Sequence, residues 1–170
     1  MMITMNGAPI TLVGDPLNAG DLMPNFSLTA NDLSTVTLAD TKGVRVFLTV
    51  PSLDTPVCDL EVRTFNQKLQ AMEGVEGWTV SMDLPFAQAR WCGVHGITAM
   101  KTLSDYQKRE FALATGTLID GIKLHARAVF VLNPAGEITY VEYVPEVGDQ
   151  PNFDRVLDAV SEILSKPKQS

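Results

Sequence analysis

The strongest constraint on the fold is an apolar strand pattern that is followed, after a short loop, by a patterned helix. Residues 44–50 form a nearly continuous apolar run rich in β-branched side chains, which is typical of a buried strand. From Cys58 onward, apolar residues recur at steps of four and three, the spacing of one core-facing helix side: Val62, Phe65, Leu69 and Met72. Two Glu-Gly pairs end that pattern, and residues 78–82 have the composition of another strand. This order predicts two parallel strands joined by a helix in an α/β fold.

The loop before this helix places a cysteine in the first helical turn. Thr55 is a suitable N-cap, and Pro56 suits the first helical position, where its missing N–H has no consequence. Cys58 then falls at the third position, beside backbone N–H groups that have no intrahelical partner. Such a position favours an anion, and the reactive form of cysteine is the thiolate. On this pattern alone, a buried cysteine that acts as a small hydrophobic side chain is the commoner outcome.

The residues around Cys58 carry a family resemblance. The spacing Pro51-x-x-x-Thr55-x-x-Cys58 resembles the active-site motif of the peroxiredoxins. The segment from Ser52 to Cys58 is most similar to their bacterial thiol peroxidase branch, which belongs to the atypical two-cysteine peroxiredoxins. The resemblance implies a peroxidase that reduces hydrogen peroxide and organic hydroperoxides. In that pattern Cys58 attacks the peroxide, Thr55 and the Cys58 amide hold it, and Pro51 shields the site from water.

Arg127 begins an apolar strand pattern and has two interpretations. A lone arginine at the start of a strand usually reaches solvent from a sheet edge. The segment from Arg127 to Leu132 is similar to the arginine segment of the peroxiredoxins, and this implies that Arg127 steadies both the thiolate and the leaving group. At about 4 Å and an effective dielectric of about 20, a guanidinium stabilises a thiolate by about 4 kcal/mol before desolvation is subtracted. Asp59 and Glu61 lie in the same helical turn as Cys58 and would oppose this effect.

The chain has two cysteines, too few for a disulfide-dense secreted scaffold. From the residues alone, Cys58 and Cys92 are unrelated buried thiols, a metal pair or a redox pair. Cys92 ends a segment that enters a short helix, where a thiol that only packs is an equal alternative. That segment again resembles the thiol peroxidases, which implies that Cys92 resolves the sulfenic acid of Cys58 in an intramolecular disulfide. The resemblance also implies thioredoxin as the reductant and a homodimer.

Other functions would use the same thiols. A cysteine hydrolase would pair Cys58 with His95 or His125 as the base, but no hydrolase signature surrounds either histidine. A zinc site of Cys58, Cys92 and His95 lacks a fourth ligand at a familiar spacing, so we expect neither a metal nor a cofactor. A thiol redox sensor that passes its disulfide to a partner protein is an open alternative to the peroxidase. Turnover with thioredoxin distinguishes these two.

Composition and charge argue against several further classes. A net charge of -7 and a pI near 4.7 argue against nucleic acid or an anionic membrane as the main partner. No apolar run approaches the roughly 18 residues of a membrane span, and the N-terminus lacks the pattern of a secretory signal. We therefore expect a cytoplasmic protein. With 170 residues, the chain is expected to form a single domain over positions 1–170.

The remaining patterns complete a thioredoxin-like order. Asn6-Gly7 between alternating segments predicts a hairpin within residues 1–14. A weak strand pattern at 99–103 comes before a capping-box sequence at Ser104, which predicts a helix ending near Gly116. The later expectations are an ambiguous loop or strand at 118–124, a strand at 127–132, a strand at 138–144, a helix at 153–164 and a frayed tail at 166–170. The resemblance makes this a thioredoxin-like fold with a central mixed sheet flanked by helices.

Overall fold

The structure, a computed structural model, describes residues 2–166. Its main element is a seven-stranded mixed sheet with the strand order β11-β10-β6-β7-β8-β4-β5. The strands are β1 (Ile3–Met5), β2 (Ala8–Ile10), β3 (Leu12–Val13), β4 (Ser27–Ala30), β5 (Thr35–Thr37), β6 (Val44–Thr49), β7 (Val75–Ser81), β8 (Met100–Ser104), β9 (Leu118–Ile119), β10 (Ala128–Leu132) and β11 (Ile138–Tyr143). The helices are α1 (Pro56–Gln70), α2 (Pro85–His95), α3 (Glu110–Thr115) and α4 (Phe153–Leu164), with a short 3-10 helix at Leu38–Asp40.

The predicted strand-helix-strand unit is confirmed and lies at the centre of the sheet. β6 and β7 are parallel, with Phe47 opposite Trp78, and β8 continues the parallel arrangement beyond β7. Every residue of β6 is buried, which explains its nearly continuous apolar sequence. The end of β6 and the start of α1 therefore meet at one edge of the sheet, where the loop with Pro51 connects them.

The predicted hairpin of β10 and β11 is also confirmed, and β10 pairs antiparallel with the other side of β6. In this register Ala128 lies opposite Thr49, so the start of β10 is next to the end of β6. The Thr49 hydroxyl donates to the Ala126 carbonyl at 2.8 Å and fixes the chain just before β10. Arg127 thus lies at the ends of the central strands, on the side of the sheet where α1 begins.

Helices cover both faces of the sheet. One core cluster joins the apolar sides of α1 and α4 and Trp91 of α2 to the sheet, and Cys58 belongs to it. The opposite face packs against α3 and the segment before β4, through an aromatic group of Phe26, Phe47, Phe111 and Phe130. Among residues 2–166, no helix is both long enough and apolar enough to cross a membrane.

The N-terminal hairpin forms as predicted, with Ile3 opposite Ile10 in the β1–β2 pair. Asn6 and Gly7 both have positive φ, the conformation that this Asn-Gly turn requires. The ambiguous segment 118–124 contains a two-residue strand, β9, that pairs with β3. β4 was not among the expected strands, and of the expected tail, residues 167–170 lie outside the described part of the chain.

The helix expected to begin at Ser104 is wrong in its start. α3 begins at Glu110, because Arg109 has a φ of 52° and interrupts helical geometry just before it. The Asp105 carboxylate accepts from the backbone N–H of Ala112 at 2.9 Å, so it satisfies first-turn donors of a later helix. Ser104 itself is the last residue of β8. The end of the helix before Gly116 agrees with the prediction.

Candidate active site

Cys58 is fully buried at the third position of α1. Pro56 occupies the first helical position, as expected, and Val62 and Phe65 continue the same core-facing side. The burial agrees with a cysteine on an apolar stripe. The neighbours of its sulfur, however, are not only apolar.

Arg127 is the charged neighbour of Cys58, although only 2 % of it is exposed. Its Nη2 donates to Cys58 Sγ at 3.3 Å, and its Nε donates to the Val147 carbonyl at 2.9 Å. Its Nη1 lies 3.3 Å from Glu61 Oε1. The arginine therefore does not reach solvent from a sheet edge, and its guanidinium is fixed by three partners, two on α1 and one in the segment after β11.

Glu61 shares the guanidinium with Cys58 and is fully buried. Burial raises the pKa of Glu61 to about 8, although Arg127 acts in the opposite direction. A neutral Glu61 does not repel a thiolate. The expected opposition from this residue is therefore weak below about pH 8.

Thr55 stands at the N-cap position by its extended backbone, but its side chain does not cap the helix. The hydroxyl donates instead to the Ser52 carbonyl at 2.8 Å. Thr55 is therefore the N-cap residue by position, as predicted, but the side-chain capping bond typical of threonine there is not made. The reason is the tight turn of the loop, in which the Thr55 N–H also donates to the Ser52 carbonyl, at 3.2 Å. First-turn amides near Cys58 are left for another acceptor.

Asp83 fixes the loop between Pro51 and Thr55, and sequence reasoning missed this role. Its two carboxylate oxygens accept from the Ser52 hydroxyl at 2.6 Å and from the Leu53 N–H at 2.9 Å. Pro51 is buried at the end of β6, next to this network. A polar residue two positions after the end of a central parallel strand was the available signal, because the strand ends on that side meet the loop.

Cys92 lies on α2 and is partly buried, and both cysteines are free thiols. Cys92 Sγ lies 3.5 Å from the Thr102 hydroxyl, which donates to Asn31 Oδ1 at 2.9 Å. Cys92 packs against the core cluster that contains Cys58, but the two sulfur atoms have different hydrogen-bond partners. The structure thus brings Cys58 and Arg127 into contact and leaves Cys92 in separate surroundings.

Asp59, the other acidic residue expected to oppose the thiolate, has its charge balanced. Desolvation acts to raise its pKa, yet hydrogen bonds from Arg63 and Trp91 hold the pKa of Asp59 below its ordinary value. Arg63 Nη2 donates to Asp59 Oδ2 at 2.8 Å. The carboxylate is ionised, and its nearest cation is one turn along α1.

Neither histidine contacts the sulfur of Cys58. His125 is fully buried between Asp105, at 3.0 Å, and the Thr117 hydroxyl, at 2.8 Å. His95 Nε2 lies 3.2 Å from Asp59 Oδ1. The geometry therefore gives a cysteine hydrolase no base. Within the described chain, residues 2–166, no group of three or more His, Cys, Asp or Glu side chains could hold a metal ion.

Comparison with known proteins places this geometry in a family context. Residues 18–157 match the Redoxin family model. The chain is 50% identical to a thiol peroxidase of Clostridium acetobutylicum over 159 residues, which covers 94% of this chain and 97% of that protein. It is 43% identical to a thiol peroxidase of Bacillus subtilis over 163 residues, 95% of this chain and 98% of that protein. The crystal structure of a peroxiredoxin-like protein from Aquifex aeolicus superposes with a TM-score of 0.90 at 40% identity, over 95% of this chain and 96% of that one.

Proposed function

Because the chain belongs to the redoxin family, among its thiol peroxidases, and is a peroxidase of the peroxiredoxin type, we propose that Cys58 is its peroxide-reacting residue. The observation that carries this proposal is the 3.3 Å contact between Arg127 Nη2 and Cys58 Sγ inside a buried site. A buried guanidinium beside the sulfur stabilises the thiolate, which is the nucleophilic form. Among residues 2–166, the hydrogen-bond partner of the Cys92 sulfur is the neutral Thr102 hydroxyl, so only the Cys58 sulfur has a cation as its partner there.

The proposed first step is attack of the Cys58 thiolate on one peroxide oxygen. The O–O bond breaks, Cys58 becomes a sulfenic acid, and the second oxygen leaves as an alkoxide or hydroxide that takes up a proton. Arg127 is positioned to stabilise the negative charge as it moves from sulfur to the leaving oxygen. The Cys58 amide, which the Thr55 side chain does not cap, is a donor for the peroxide. The Thr55 hydroxyl, whose proton goes to the Ser52 carbonyl, orients the peroxide by accepting from its O–H, and buried Pro51 keeps water from the sulfur.

The proposed second step joins the two cysteines. Cys58 sulfenic acid condenses with the Cys92 thiol, which forms the disulfide and releases water. An external dithiol then reduces the disulfide, and we propose thioredoxin in this role. The substrates are hydrogen peroxide and organic hydroperoxides. A redox sensor would use the same two thiols, but it would not turn over with thioredoxin.

We also propose that residues 1–170 act as one domain, that the protein is cytoplasmic, and that it forms a homodimer. The apolar side chains of Leu84, Phe86 and Val94 on or beside α2 are between 52% and 73% exposed. Exposed apolar side chains of this size favour contact with another protein when they lie together. Sedimentation velocity of the full chain measures the oligomeric state directly.

Peroxide-dependent NADPH consumption in an assay coupled through thioredoxin reductase and thioredoxin tests the proposed function. We expect continuous turnover that requires both Cys58 and Cys92. A single equivalent of peroxide consumed, with no further NADPH oxidation, would favour the sensor. Full turnover by a Cys58→Ser variant would contradict the assignment of the reacting residue.

A further inference from the structure

Asp59 joins the two helices that carry the cysteines. Its Oδ1 accepts from Trp91 Nε1 at 2.8 Å and lies 3.2 Å from His95 Nε2. Its Oδ2 accepts from Arg63 Nε and Nη2 at 3.0 and 2.8 Å. Asp59 and Arg63 belong to α1, whereas Trp91 and His95 belong to α2. We call these four residues the Asp59 cluster.

The Asp59 cluster is placed where the resolving step must act. Asp59 directly follows Cys58, and Trp91 directly precedes Cys92. In the described structure each sulfur has its own partner, Arg127 for Cys58 and Thr102 for Cys92. A disulfide needs Cα atoms within about 7 Å and a specific orientation of the two side chains. Moving either cysteine out of its helix also moves its neighbour, so it separates the Asp59 carboxylate from the Trp91 indole.

Trp91 provides the most constraining contact within the cluster. Only 7% of Trp91 is exposed, and it belongs to the same core cluster as Cys58. A buried indole N–H that loses its acceptor is costly, because it cannot regain that bond from water while the ring stays buried. The Arg63 side chain is 44% exposed, so its ion pair contributes little. His95 adds a charged donor only when it is protonated, whereas the indole donates at any pH.

We propose that Asp59 and Trp91 are positioning residues that control how fast Cys92 reaches oxidised Cys58. The inference rests on the proposed function, since it presumes the disulfide between these cysteines. While the hydrogen bond is intact, α1 and α2 keep the folded geometry in which Arg127 contacts Cys58. Its rupture permits the local opening in which Cys58 sulfenic acid and the Cys92 thiol condense, with loss of water.

Two reactions then compete for the sulfenic acid. Opening gives the disulfide and water, whereas a second peroxide oxidises the sulfenic acid to sulfinic acid and is itself reduced to an alcohol or water. A stronger hydrogen bond holds the protein folded for longer and so favours sulfinic acid at high peroxide. A weaker one favours the disulfide. The cluster therefore sets the peroxide concentration at which the enzyme becomes over-oxidised.

The test compares Trp91→Phe with the parent protein, without thioredoxin, at rising peroxide. Rapid acid quenching and intact-mass analysis give the fractions of disulfide and sulfinic acid. We expect the peroxide concentration for half over-oxidation to rise about tenfold, since a hydrogen bond to a charged acceptor changes an equilibrium by about that factor or more. The initial rate of sulfenic acid formation should not change. Trp78→Phe is the matched control, because the Trp78 indole N–H is buried, has no hydrogen-bond partner within residues 2–166, and packs in the other core cluster.

Asp59→Asn separates the hydrogen bond from packing, because the amide oxygen still accepts from the indole but without the charge that strengthens the bond, and no cavity forms. Both variants should stabilise the disulfide relative to the dithiol. A tenfold shift of the equilibrium from dithiol to disulfide in Trp91→Phe corresponds to a reduction potential about 30 mV more negative. Asp59→Asn should shift the reduction potential in the same direction. If Trp91→Phe does not fold, the Asp59→Asn measurement decides alone. If Trp91→Phe and Asp59→Asn become over-oxidised at the same peroxide concentration as the parent and Trp78→Phe, the inference is overturned. A parent protein that forms no disulfide at all would instead overturn the proposed function.

Discussion

Arg127→Met is the substitution that most directly tests the site. Methionine fills much of the same volume without charge, so the sulfur keeps a neighbour but loses its cation. At 3.3 Å and an effective dielectric of about 20, Coulomb's law gives about 5 kcal/mol of attraction between a guanidinium and a thiolate. Desolvation offsets part of that attraction. We expect a loss of about 3–4 kcal/mol in transition-state stabilisation, which is a rate of Cys58 oxidation lower by roughly two to three orders of magnitude.

The assay is single-turnover oxidation of Cys58 by stopped flow, followed at several pH values. Arg45→Met is the matched control, since Arg45 is 4% exposed and its guanidinium donates to the Asn133 carbonyl at 2.8 Å near the start of β6, away from Cys58. Both variants remove a buried guanidinium and should lower thermal stability. Only Arg127→Met should slow oxidation. An unchanged rate in Arg127→Met, or an equal loss in Arg45→Met, would refute the argument that the guanidinium acts on the sulfur.

Three further outcomes are expected. Cys58→Ser should abolish peroxide reduction, whereas Cys92→Ser should react once and stop as a sulfenic acid. Dimedone labelling and mass spectrometry detect this sulfenic acid. A Cys92→Ser protein that never reacts would contradict the roles proposed for the two cysteines. In the native state the pKa of Glu61 is raised to about 8. Between the ordinary pKa of a glutamate and about pH 8, the native state therefore holds a proton that the unfolded state has lost. As the pH rises from about 5 to 8, the unfolding free energy of the parent protein should therefore fall by about 1.4 kcal/mol per pH unit relative to that of Glu61→Gln. Urea titrations at several pH values measure this difference. Parallel pH profiles for the two proteins would contradict the raised pKa of Glu61. Hydrogen exchange should show lower protection at 57–62 and 86–93 in the disulfide form than in the dithiol form; equal protection would mean that no local unwinding occurs.

Local patterns were enough to predict the central architecture. The apolar run of β6 and the three-four spacing of α1 each depend only on neighbouring residues, and both were located to within a residue or two. The antiparallel hairpin of β10 and β11 followed from alternation and a turn sequence. The start of α3 did not follow, because the backbone of Arg109 and the distant reach of Asp105 override a local capping signal.

The contacts around Cys58 could be predicted only in part. The family resemblance implied that Cys58 and Arg127 share a site, although 69 residues separate them. The place of Asp83 after a central strand indicated only that it lies near the loop, not that it binds the loop from 30 positions away. Nothing local indicated that Asp59 would accept from Trp91 across two helices. Such contacts depend on strand register and helix packing, which a hydrophobic pattern leaves undetermined. Glu61 was recognised as a nearby charge, but only its burial explains why its pKa is raised.

The placement of Cys58 reconciles two requirements that otherwise conflict. Complete burial strengthens the attraction between Arg127 and the sulfur, yet it also keeps Cys92 away. The first turn of a helix is the part that can open at least cost, since its N–H groups have no intrahelical bonds to lose. Val62, Phe65 and Leu69 lie further along α1 in the core and can remain there while the first turn unwinds. A cysteine one or two turns later would be equally buried, but its release would require this whole apolar side to leave the sheet, at several kcal/mol for the three side chains.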